Sequence, residues 1–448
     1  MKAAIARTIA AILTSPGLSA GRRRLHAVRR VARLAPAIVH YFHDPADPYS
    51  YLTAQLLPRL TERYRIELTP HLVPPPDEGA APDPARLAAW SGRDAAMLAR
   101  AHGLEFPADA AADPELARHV SAVLTRAIAR EEFVPFAIAA GRDFWAVEGV
   151  QRLRVAALPA ASAADAAAAV LHGARLRRKL GHYLGATFYF EGEWYWGVDR
   201  LHYLEARLAA LGLDRAAGQS MLAPVRDVTL AAPRDLARGH VLHLFLSFRS
   251  PYSYVAVPRA AALARHYGAE LRLRFVLPMV MRGLKVPRAK RIYIVLDAKR
   301  EAERLGLRFG EIVDPVGKGV ELGLAVLHAA IAAGQGQNFA QSFLQGVFAD
   351  GIDAASDPGL RRMAARAGVS AGLVRAALAD DGWRAVAEAN REEMLAGGLW
   401  GVPCLRVDDG PMVWGQDRLW AIEETLRGLA PAVAPGLPRR GLGGRRQA

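Results

Sequence analysis

Cysteine is almost absent from the sequence, which contains one, Cys404, among 448 residues. A single cysteine excludes an intrachain disulfide, a CxxC redox pair and a cysteine-rich zinc site. The HxxH pieces at 40–43 and 240–243 predict no metal site either, because residues i and i+3 of a strand point to opposite faces. Long apolar runs are also lacking. None reaches about 18 residues, so no transmembrane helix is predicted.

Acidic residues are missing from both ends of the chain. Residues 1–36 carry eight Lys or Arg side chains, and residues 431–448 carry four. Taking these twelve from the formal net charge of +14 leaves +2 for residues 37–430. A nearly neutral body argues against nucleic-acid binding by the folded part. We therefore predict no nucleic-acid partner.

The basic residues 1–36 have two interpretations. They form either an amphipathic arm that makes weak contact with anionic lipid or RNA, or a solvated helix ahead of the folded body. A secretory signal fits poorly, because Pro16 and the GRRR run at 21–24 interrupt the short apolar stretch 9–13. We expect a cytoplasmic protein, with residues 431–448 as a basic flexible tail that could also touch a membrane surface.

The same pattern occurs twice in the chain, 203 positions apart. Residues 40–51 read HYFHDPADPYSY, and residues 243–254 read HLFLSFRSPYSY. The register continues without a gap for about sixty residues, and chance does not maintain a register that long. It pairs Tyr64 with Tyr267, Pro75 with Pro278 and Asp94 with Asp297. The pattern therefore predicts an internal duplication.

Each copy shows the same predicted order of elements. A β-rich run, a Pro-containing turn, a helix and a second apolar run have the spacing of a βαβ unit. A long Ala/Leu-rich helical region follows, and each copy closes with strand, turn, strand and helix. The segments are 37–42, 49–64, 66–73, 86–180, 186–190, 194–196 and 199–211 in copy one, and 241–248, 252–267, 271–277, 289–397, 402–407, 412–414 and 417–429 in copy two.

This order of elements is that of a thioredoxin-like fold with a helical insertion. We predict an α/β protein made of two tandem thioredoxin-like domains, each with an inserted helical subdomain. The predicted domains are 37–215 and 239–430, after the basic arm 1–36. A linker at 216–238, rich in turn-forming residues, joins them.

Five segments of copy two carry a family resemblance. They read SPYSY at 250–254, KRIY at 290–293, VFADG at 347–351, GVP at 401–403 and WGQDRL at 414–419. In this order they resemble the glutathione-dependent branch of the DsbA-like thioredoxin superfamily, namely 2-hydroxychromene-2-carboxylate isomerase and the kappa-class glutathione transferases. The resemblance covers about 190 residues of copy two and is much weaker at the functional positions of copy one.

The resemblance implies that glutathione is the cofactor and that Ser250 is the catalytic residue. Ser250 stands at a strand-to-helix turn, where a hydroxyl and free backbone N–H groups favour a thiolate over a thiol. The bond before Pro403 is expected to be cis, which exposes the backbone of Val402 to the cysteinyl part of glutathione. Lys290 is expected to bind a glutathione carboxylate, with Lys285 and Arg288 as neighbouring candidates.

Two residues at the start of the last helix complete the implied glutathione site. Asp417 is expected to take the γ-glutamyl ammonium with Gln416 beside it, although helix capping is an ordinary structural role for this aspartate. An apolar helical cap is expected to take the acceptor molecule. The candidate contacts for that acceptor are Tyr252, Tyr293 and Trp400.

Copy one departs from this pattern at each of these places. Asp47 aligns with Ser250, Thr187 with the proline, Leu87 with Lys290 and Val198 with Gln416. A carboxylate at 47 would repel a thiolate. We predict that copy one is a degenerate partner domain, which forms a pseudo-dimer with copy two inside one chain.

The sequence therefore predicts a glutathione-dependent isomerase or transferase that acts on a conjugated or aromatic-derived small molecule. A DsbA-like thiol oxidoreductase is one alternative, disfavoured because SPYS at 250–253 stands where a CxxC pair would be. A non-catalytic thioredoxin-like binding or scaffold protein is another. Cys404, directly after Pro403, is expected to pack in the core, with a mixed disulfide to the bound thiol as the alternative.

Overall fold

The structure, a computed structural model, describes residues 8, 10–107, 111–146 and 149–428. It contains two four-stranded sheets of the same strand order, β2-β1-β3-β4 and β6-β5-β7-β8. We call the part with the first sheet the first domain and the part with the second sheet the second domain. The basic tail predicted at 431–448 lies outside the described residues.

The first domain follows helix α1 (Pro16–Ala32). In its sheet, β1 is parallel to β2 and antiparallel to β3, which pairs with β4. Its elements are β1 (Ile38–His43), α2 (Pro48–Ala54), α3 (Leu57–Arg63), β2 (Glu67–Leu72), α4 (Pro84–His102), α5 (Pro114–Ala129), α6 (Phe133–Trp145), α7 (Gly149–Ala156), α8 (Ala163–Leu180), β3 (Thr187–Phe190), β4 (Glu193–Trp196) and α9 (Gly197–Ala210).

The second domain repeats this order with different lengths. Strand β5 is parallel to β6 and antiparallel to β7, which pairs with β8. Its elements are β5 (Val241–Leu246), α10 (Pro251–Tyr267), β6 (Glu270–Phe275), α11 (Arg288–Arg304), α12 (Lys318–Ala332), α13 (Gly336–Phe348), α14 (Asp357–Arg366), α15 (Ala371–Leu378), α16 (Trp383–Ala396), β7 (Cys404–Val407), β8 (Val413–Trp414) and α17 (Leu419–Leu426).

The helix predicted over 49–64 is wrong as a single element. The chain bends after α2, and α3 begins at Leu57 with Pro58 in its first turn. A proline at this position costs nothing because the first N–H groups of a helix have no partner within it. The corresponding helix of the second domain, α10, is continuous through its internal Pro258.

Two helices contribute side chains to the hydrophobic clusters of the other domain. From α4 of the first domain, Trp90 and Met97 belong to the hydrophobic core of the second domain. From α11 of the second domain, Tyr293 packs in a cluster with Phe42 and Trp194 of the first. Since Trp90 and Tyr293 are 203 positions apart, each domain buries the equivalent aromatic side chain of the other.

The segment predicted as a linker is attached to both domains by buried glutamates. Glu205 accepts hydrogen bonds from the backbone N–H groups of Leu222 and Ala223. Glu423 does the same for Thr229 and Leu230. Buried carboxylates are stable when such donors satisfy them, so these two residues hold the connecting segment against the folded body.

Candidate functional site

Ser250 begins the second domain's first helix, directly after strand β5. It is the N-cap of α10, and its Oγ accepts a hydrogen bond from the Ser253 N–H at 3.1 Å. The side chain is half-buried, and its hydroxyl donates to the Val402 carbonyl oxygen at 3.3 Å. The turn therefore presents a hydroxyl at the positive end of a 17-residue helix.

The loop opposite Ser250 contains a cis peptide bond between Val402 and Pro403, as the resemblance implied. The Pro403 carbonyl accepts a hydrogen bond from the Gly415 N–H at 2.9 Å, which fixes the loop against the β7–β8 hairpin. A side chain at Gly401 would lie 2.3 Å from the Trp414 ring, so glycine is required there. The structure therefore brings Ser250, Val402 and Pro403 together.

Cys404 follows this loop but points into the core. Its side chain is completely buried, and its Sγ donates to the Gly401 carbonyl oxygen at 2.7 Å. Burial raises the pKa of the Cys404 thiol well above its usual value. A buried, protonated thiol is a poor nucleophile, because the thiolate is the reactive form.

The structure places Gln416 and Asp417 next to the loop but gives both side chains protein partners. The buried Gln416 amide donates to Glu301 at 2.9 Å, and its oxygen accepts from Arg259. The Asp417 carboxylate accepts from Arg200 of the first domain at 3.1 Å. The role of Gln416 and Asp417 in glutathione binding stays a prediction.

Lys290, predicted to bind a glutathione carboxylate, reaches the first domain. Its Nζ donates to the Ala80 carbonyl oxygen at 2.7 Å, and burial lowers its pKa to about 8. A carbonyl leaves the lysine charge uncompensated. A carboxylate that replaced this carbonyl would therefore stabilise the ammonium form.

The three residues predicted to contact the acceptor lie in three different environments. Tyr252 donates its hydroxyl to Asp297 at 2.7 Å, in the contact between the domains. The buried Tyr293 packs edge-on against His182 of the first domain, with ring centroids 4.5 Å apart. The buried Trp400 packs against Trp414 beside the loop. The structure thus places Trp400 beside the cis-proline loop and turns Tyr252 and Tyr293 toward the first domain.

Sequence reasoning missed two residues of the first domain that lie against the second domain. Trp90 is part of the second domain's core, and a guanidinium nitrogen of Arg93 would lie 3.5 Å from a Cβ at Gly398. Arg93 makes no ion pair with a described residue, its buried Nε lacks a hydrogen-bond partner, and burial lowers its pKa. The register that pairs Trp90 with Tyr293 is the sequence signal that could have indicated these residues.

The contact between the domains is a reciprocal network of buried ion pairs. Arg200 of the first domain binds Asp297 of the second, with two nitrogen–oxygen distances of 2.8 Å. Arg418 of the second domain binds Asp94 of the first, at 2.7 and 2.8 Å. Tyr49 donates to Asp94 at 2.7 Å, just as Tyr252 donates to Asp297.

The first domain has a carboxylate cluster where the second domain has Ser250. Asp47 is the N-cap of α2, and its carboxylate accepts from the Ser50 hydroxyl at 3.0 Å. Burial is the main cause that raises the pKa of Asp47 to about 6 and the pKa of the neighbouring Asp44 to about 8. Arg177 partly offsets this by its charge, but its buried Nη1 has no hydrogen-bond partner.

A small cavity opens between the domains, and Ser250 is not among the residues that line it. His202 and Arg200 line one side of it, and Glu301, Arg304 and Asp417 line the other. In the part of the chain that the structure describes, no group of three or more His, Cys, Asp or Glu side chains is arranged to hold a metal ion. Within the same residues no helix is both long and apolar enough to cross a membrane.

The geometry of the second domain defines its class. A parallel strand–helix–strand unit, followed after a helical insertion by an antiparallel hairpin with a cis-proline loop facing the first helix, is a thioredoxin-like domain. The family of DSBA-like thioredoxin domains matches residues 241–427. This part of the chain is therefore similar to DSBA-like thioredoxin domains.

Several solved structures are similar to this chain over one domain length. A 2-hydroxychromene-2-carboxylate isomerase is 20% identical, with a TM-score of 0.35, over 42% of this chain and 94% of its own. A probable DsbA oxidoreductase from Streptomyces coelicolor is 21% identical, with a TM-score of 0.35, over 46% and 97%. The cytosolic disulfide reductase DsbM from Pseudomonas aeruginosa is 22% identical, with a TM-score of 0.34, over 42% and 95%. No curated protein matches the chain.

Proposed function

We propose that the second domain binds glutathione as a thiolate and uses it to isomerise or conjugate a conjugated or aromatic-derived small molecule. The observation that carries this proposal is the placement of the half-buried Ser250 hydroxyl, at the start of α10 and 3.3 Å from the Val402 carbonyl. A hydroxyl donor and a positive helix end both favour thiolate over thiol. The reaction is reversible addition of that thiolate to the acceptor.

The backbone of the cis-proline loop supports the same proposal. Val402 is partly exposed, and its carbonyl is already within reach of the Ser250 hydroxyl. An extended cysteinyl segment can pair with such a loop as one strand pairs with another. This would place the glutathione sulfur near Ser250 Oγ, while Lys290 exchanges the Ala80 carbonyl for a glutathione carboxylate.

The chemistry of the turn argues against a thiol oxidoreductase. Disulfide exchange needs an attacking thiolate, and the turn carries Ser250 and Ser253 instead of cysteines. Cys404 cannot replace them, because its thiol is buried and bonded to Gly401. The domain therefore supplies a place for an external thiol and no redox-active thiol of its own.

We further propose that the chain arose by duplication and that the first domain is a non-catalytic partner. Both sheets have one strand order, and Asp94, Arg200, Asp297 and Arg418 keep equivalent ion pairs. Asp47 gives the first domain a carboxylate at the position of the serine. The two domains then act as a dimer within one chain, in which the first domain completes the surroundings of the second domain's site.

Calorimetric titration of glutathione into the full chain tests the proposal. We expect the wild type to bind glutathione and to bind S-methylglutathione, which cannot form a thiolate, more weakly. Ser250→Ala should lower the affinity for glutathione roughly ten- to hundredfold. Ser250→Asp keeps a good N-cap but places a carboxylate at the sulfur, so binding should be lost altogether.

A matched variant separates the site from helix capping. Ser356 caps α14 in the same way, accepting from the Gly359 N–H, so Ser356→Ala loses a comparable cap elsewhere in the domain. We expect Ser356→Ala to bind glutathione like the wild type. Absence of wild-type binding at millimolar glutathione would overturn the proposal and favour a thioredoxin-like scaffold. Equal losses in Ser356→Ala and Ser250→Ala would overturn the role of Ser250.

A further inference from the structure

Helix α1 is attached to the first domain through one face. Arg23 binds Glu193 at 2.8 Å, and Arg30, two turns further on, binds Glu191 at 2.9 Å. Between them His26 lies over Gly192, at the tip of the β3–β4 hairpin. These residues share one side of the helix, so the opposite side is directed away from the first domain.

The outward side of α1 carries exposed apolar residues. Leu18, Leu25 and Val28 are 51%, 47% and 57% exposed, and their spacing of seven and three residues places them on one face. Val31 is 65% exposed next to this face. No residue of α1 is buried, which is unusual for a helix with this many apolar side chains. We call Leu18, Leu25, Val28 and Val31 the apolar strip.

Arginines lie beside the apolar strip and within it. At about 100° per residue, Arg22 and Arg29 lie along the edge next to Leu18, Arg24 lies between Val28 and Val31, and Arg33 lies near the end of the helix. All four are exposed, and none makes an ion pair with a described residue. Residues 1–36 contain no acid, so nothing on the helix offsets this charge. The outward face therefore combines exposed apolar side chains with arginines beside and among them.

We propose that α1 docks the protein onto the surface of an anionic lipid membrane. A helix of this kind lies in the membrane plane, with its apolar side at the boundary of headgroups and acyl chains and its arginines on anionic headgroups. Anionic lipid fits the face better than RNA, because phosphates would satisfy the arginines but leave the apolar strip in water. The Arg23 and Arg30 ion pairs hold the helix so that this face stays outward.

Flotation of the full chain with lipid vesicles tests this proposal. We expect binding to vesicles of phosphatidylcholine with phosphatidylserine, and at least about tenfold less binding to phosphatidylcholine alone. Arg22→Glu with Arg29→Glu should weaken binding roughly 25-fold or more, since each nearby arginine contributes about fivefold. Leu25→Ser with Val28→Ser should also weaken it, without any change of charge.

Matched variants control for charge in general. Arg118 and Arg238 are both 76% exposed, far from α1 in sequence, so Arg118→Glu with Arg238→Glu makes the same change elsewhere. We expect this variant to bind vesicles within about twofold of the wild type. An equal loss in both charge variants would overturn the assignment of the surface to α1.

Three other results would overturn the proposal. The first is no binding to anionic vesicles. The second is a Leu25→Ser/Val28→Ser variant that binds vesicles normally while an RNA oligonucleotide competes with lipid, which would identify a polyanion site. The third is a wild-type dimer in light scattering that the same variant converts to monomer, which would show that a second copy covers the apolar strip.

Discussion

The Arg200 guanidinium forms a bidentate ion pair with the Asp297 carboxylate, and this contact joins the two domains. Both side chains are almost completely buried, at 5% and 2% exposure. Arg418 and Asp94 form the equivalent contact, at 4% and 2%. A buried charge is stable only while its partner is present, so each domain depends on the other for compensation.

Removing one partner should therefore destabilise the chain strongly. We expect Arg200→Ala to lower the free energy of unfolding by about 3–5 kcal/mol, because the buried Asp297 loses its closest cation and keeps only the longer ion pair with Arg300, at 3.8 Å. Chemical denaturation followed by tryptophan fluorescence should also change from one transition to two, as the domains separate. Arg361→Ala breaks an exposed pair with Asp357 and should cost less than about 1 kcal/mol. Equal costs for the two variants would contradict this account.

The carboxylate cluster of the first domain should make stability fall as pH rises. Asp44 has its pKa raised to about 8, so the native state retains a proton that the unfolded state loses near pH 4. This contribution is fully present below the unfolded pKa and is lost as pH rises through the folded one. The side chain introduced by Asp44→Asn cannot ionise. The free energy of unfolding of this variant relative to wild type should therefore rise by several kcal/mol from pH 4 to pH 8, on the order of 1.4 kcal/mol per pKa unit.

Denaturation of wild type and Asp44→Asn at several pH values checks this prediction. Asp47 and Arg177 face Asp44, and Asp47→Asn should give a smaller change in the same direction because its pKa is raised only to about 6. A stability difference between Asp44→Asn and wild type that stays constant from pH 4 to pH 8 would contradict the buried, protonated state of Asp44.

Cys404 should be chemically inert in the folded protein. Its buried thiol, with a pKa well above the usual value, should not react with Ellman's reagent until the chain is unfolded. Cys404→Ala should bind glutathione as the wild type does, apart from a modest loss of stability. Rapid modification of the native protein, or a glutathione-dependent mixed disulfide at Cys404, would instead favour the oxidoreductase alternative.

Arg93 should recognise anionic acceptors at the second domain's site. Its guanidinium approaches Gly398 near the cis-proline loop and makes no ion pair with a described residue. In glutathione-saturated protein, Arg93→Leu should weaken the binding of aromatic carboxylates roughly tenfold or more. The binding of their uncharged methyl esters should not change. Arg86→Leu, at an exposed position of the same helix, is the control. Equal effects on acids and esters would show that Arg93 acts only through packing.

The sequence predicts local features of this protein well, because short segments determine them. The turn at Ser250, the cis Val402–Pro403 bond and the hairpin before α17 each depend on a few adjacent residues. The division of 49–64 into α2 and α3 was missed. Pro58 lies in the first turn of α3, where a proline is compatible with the start of a new helix, and the sequence alone did not distinguish this from one continuous helix.

The contact between the domains could not be predicted in its details. Arg200 and Asp297 are 97 positions apart, and no local pattern specifies such a pairing. A signal was nevertheless present in the repeated sequence pattern. Residues that are the same in both copies, such as Asp94 and Asp297, lie in the interdomain network, whereas Asp47 and Ser250, which differ, occupy the turn where we propose the chemistry.

The ionisation of bound glutathione tests the central claim most directly. Thiolate absorbance in the ultraviolet, followed against pH in glutathione-saturated protein, reports the pKa of the bound thiol. We predict a value at least about one unit below the 8.5 typical of a free thiol, returning toward it in Ser250→Ala and unchanged in Ser356→Ala. Bound glutathione that titrates like the free thiol in the wild type would contradict the account.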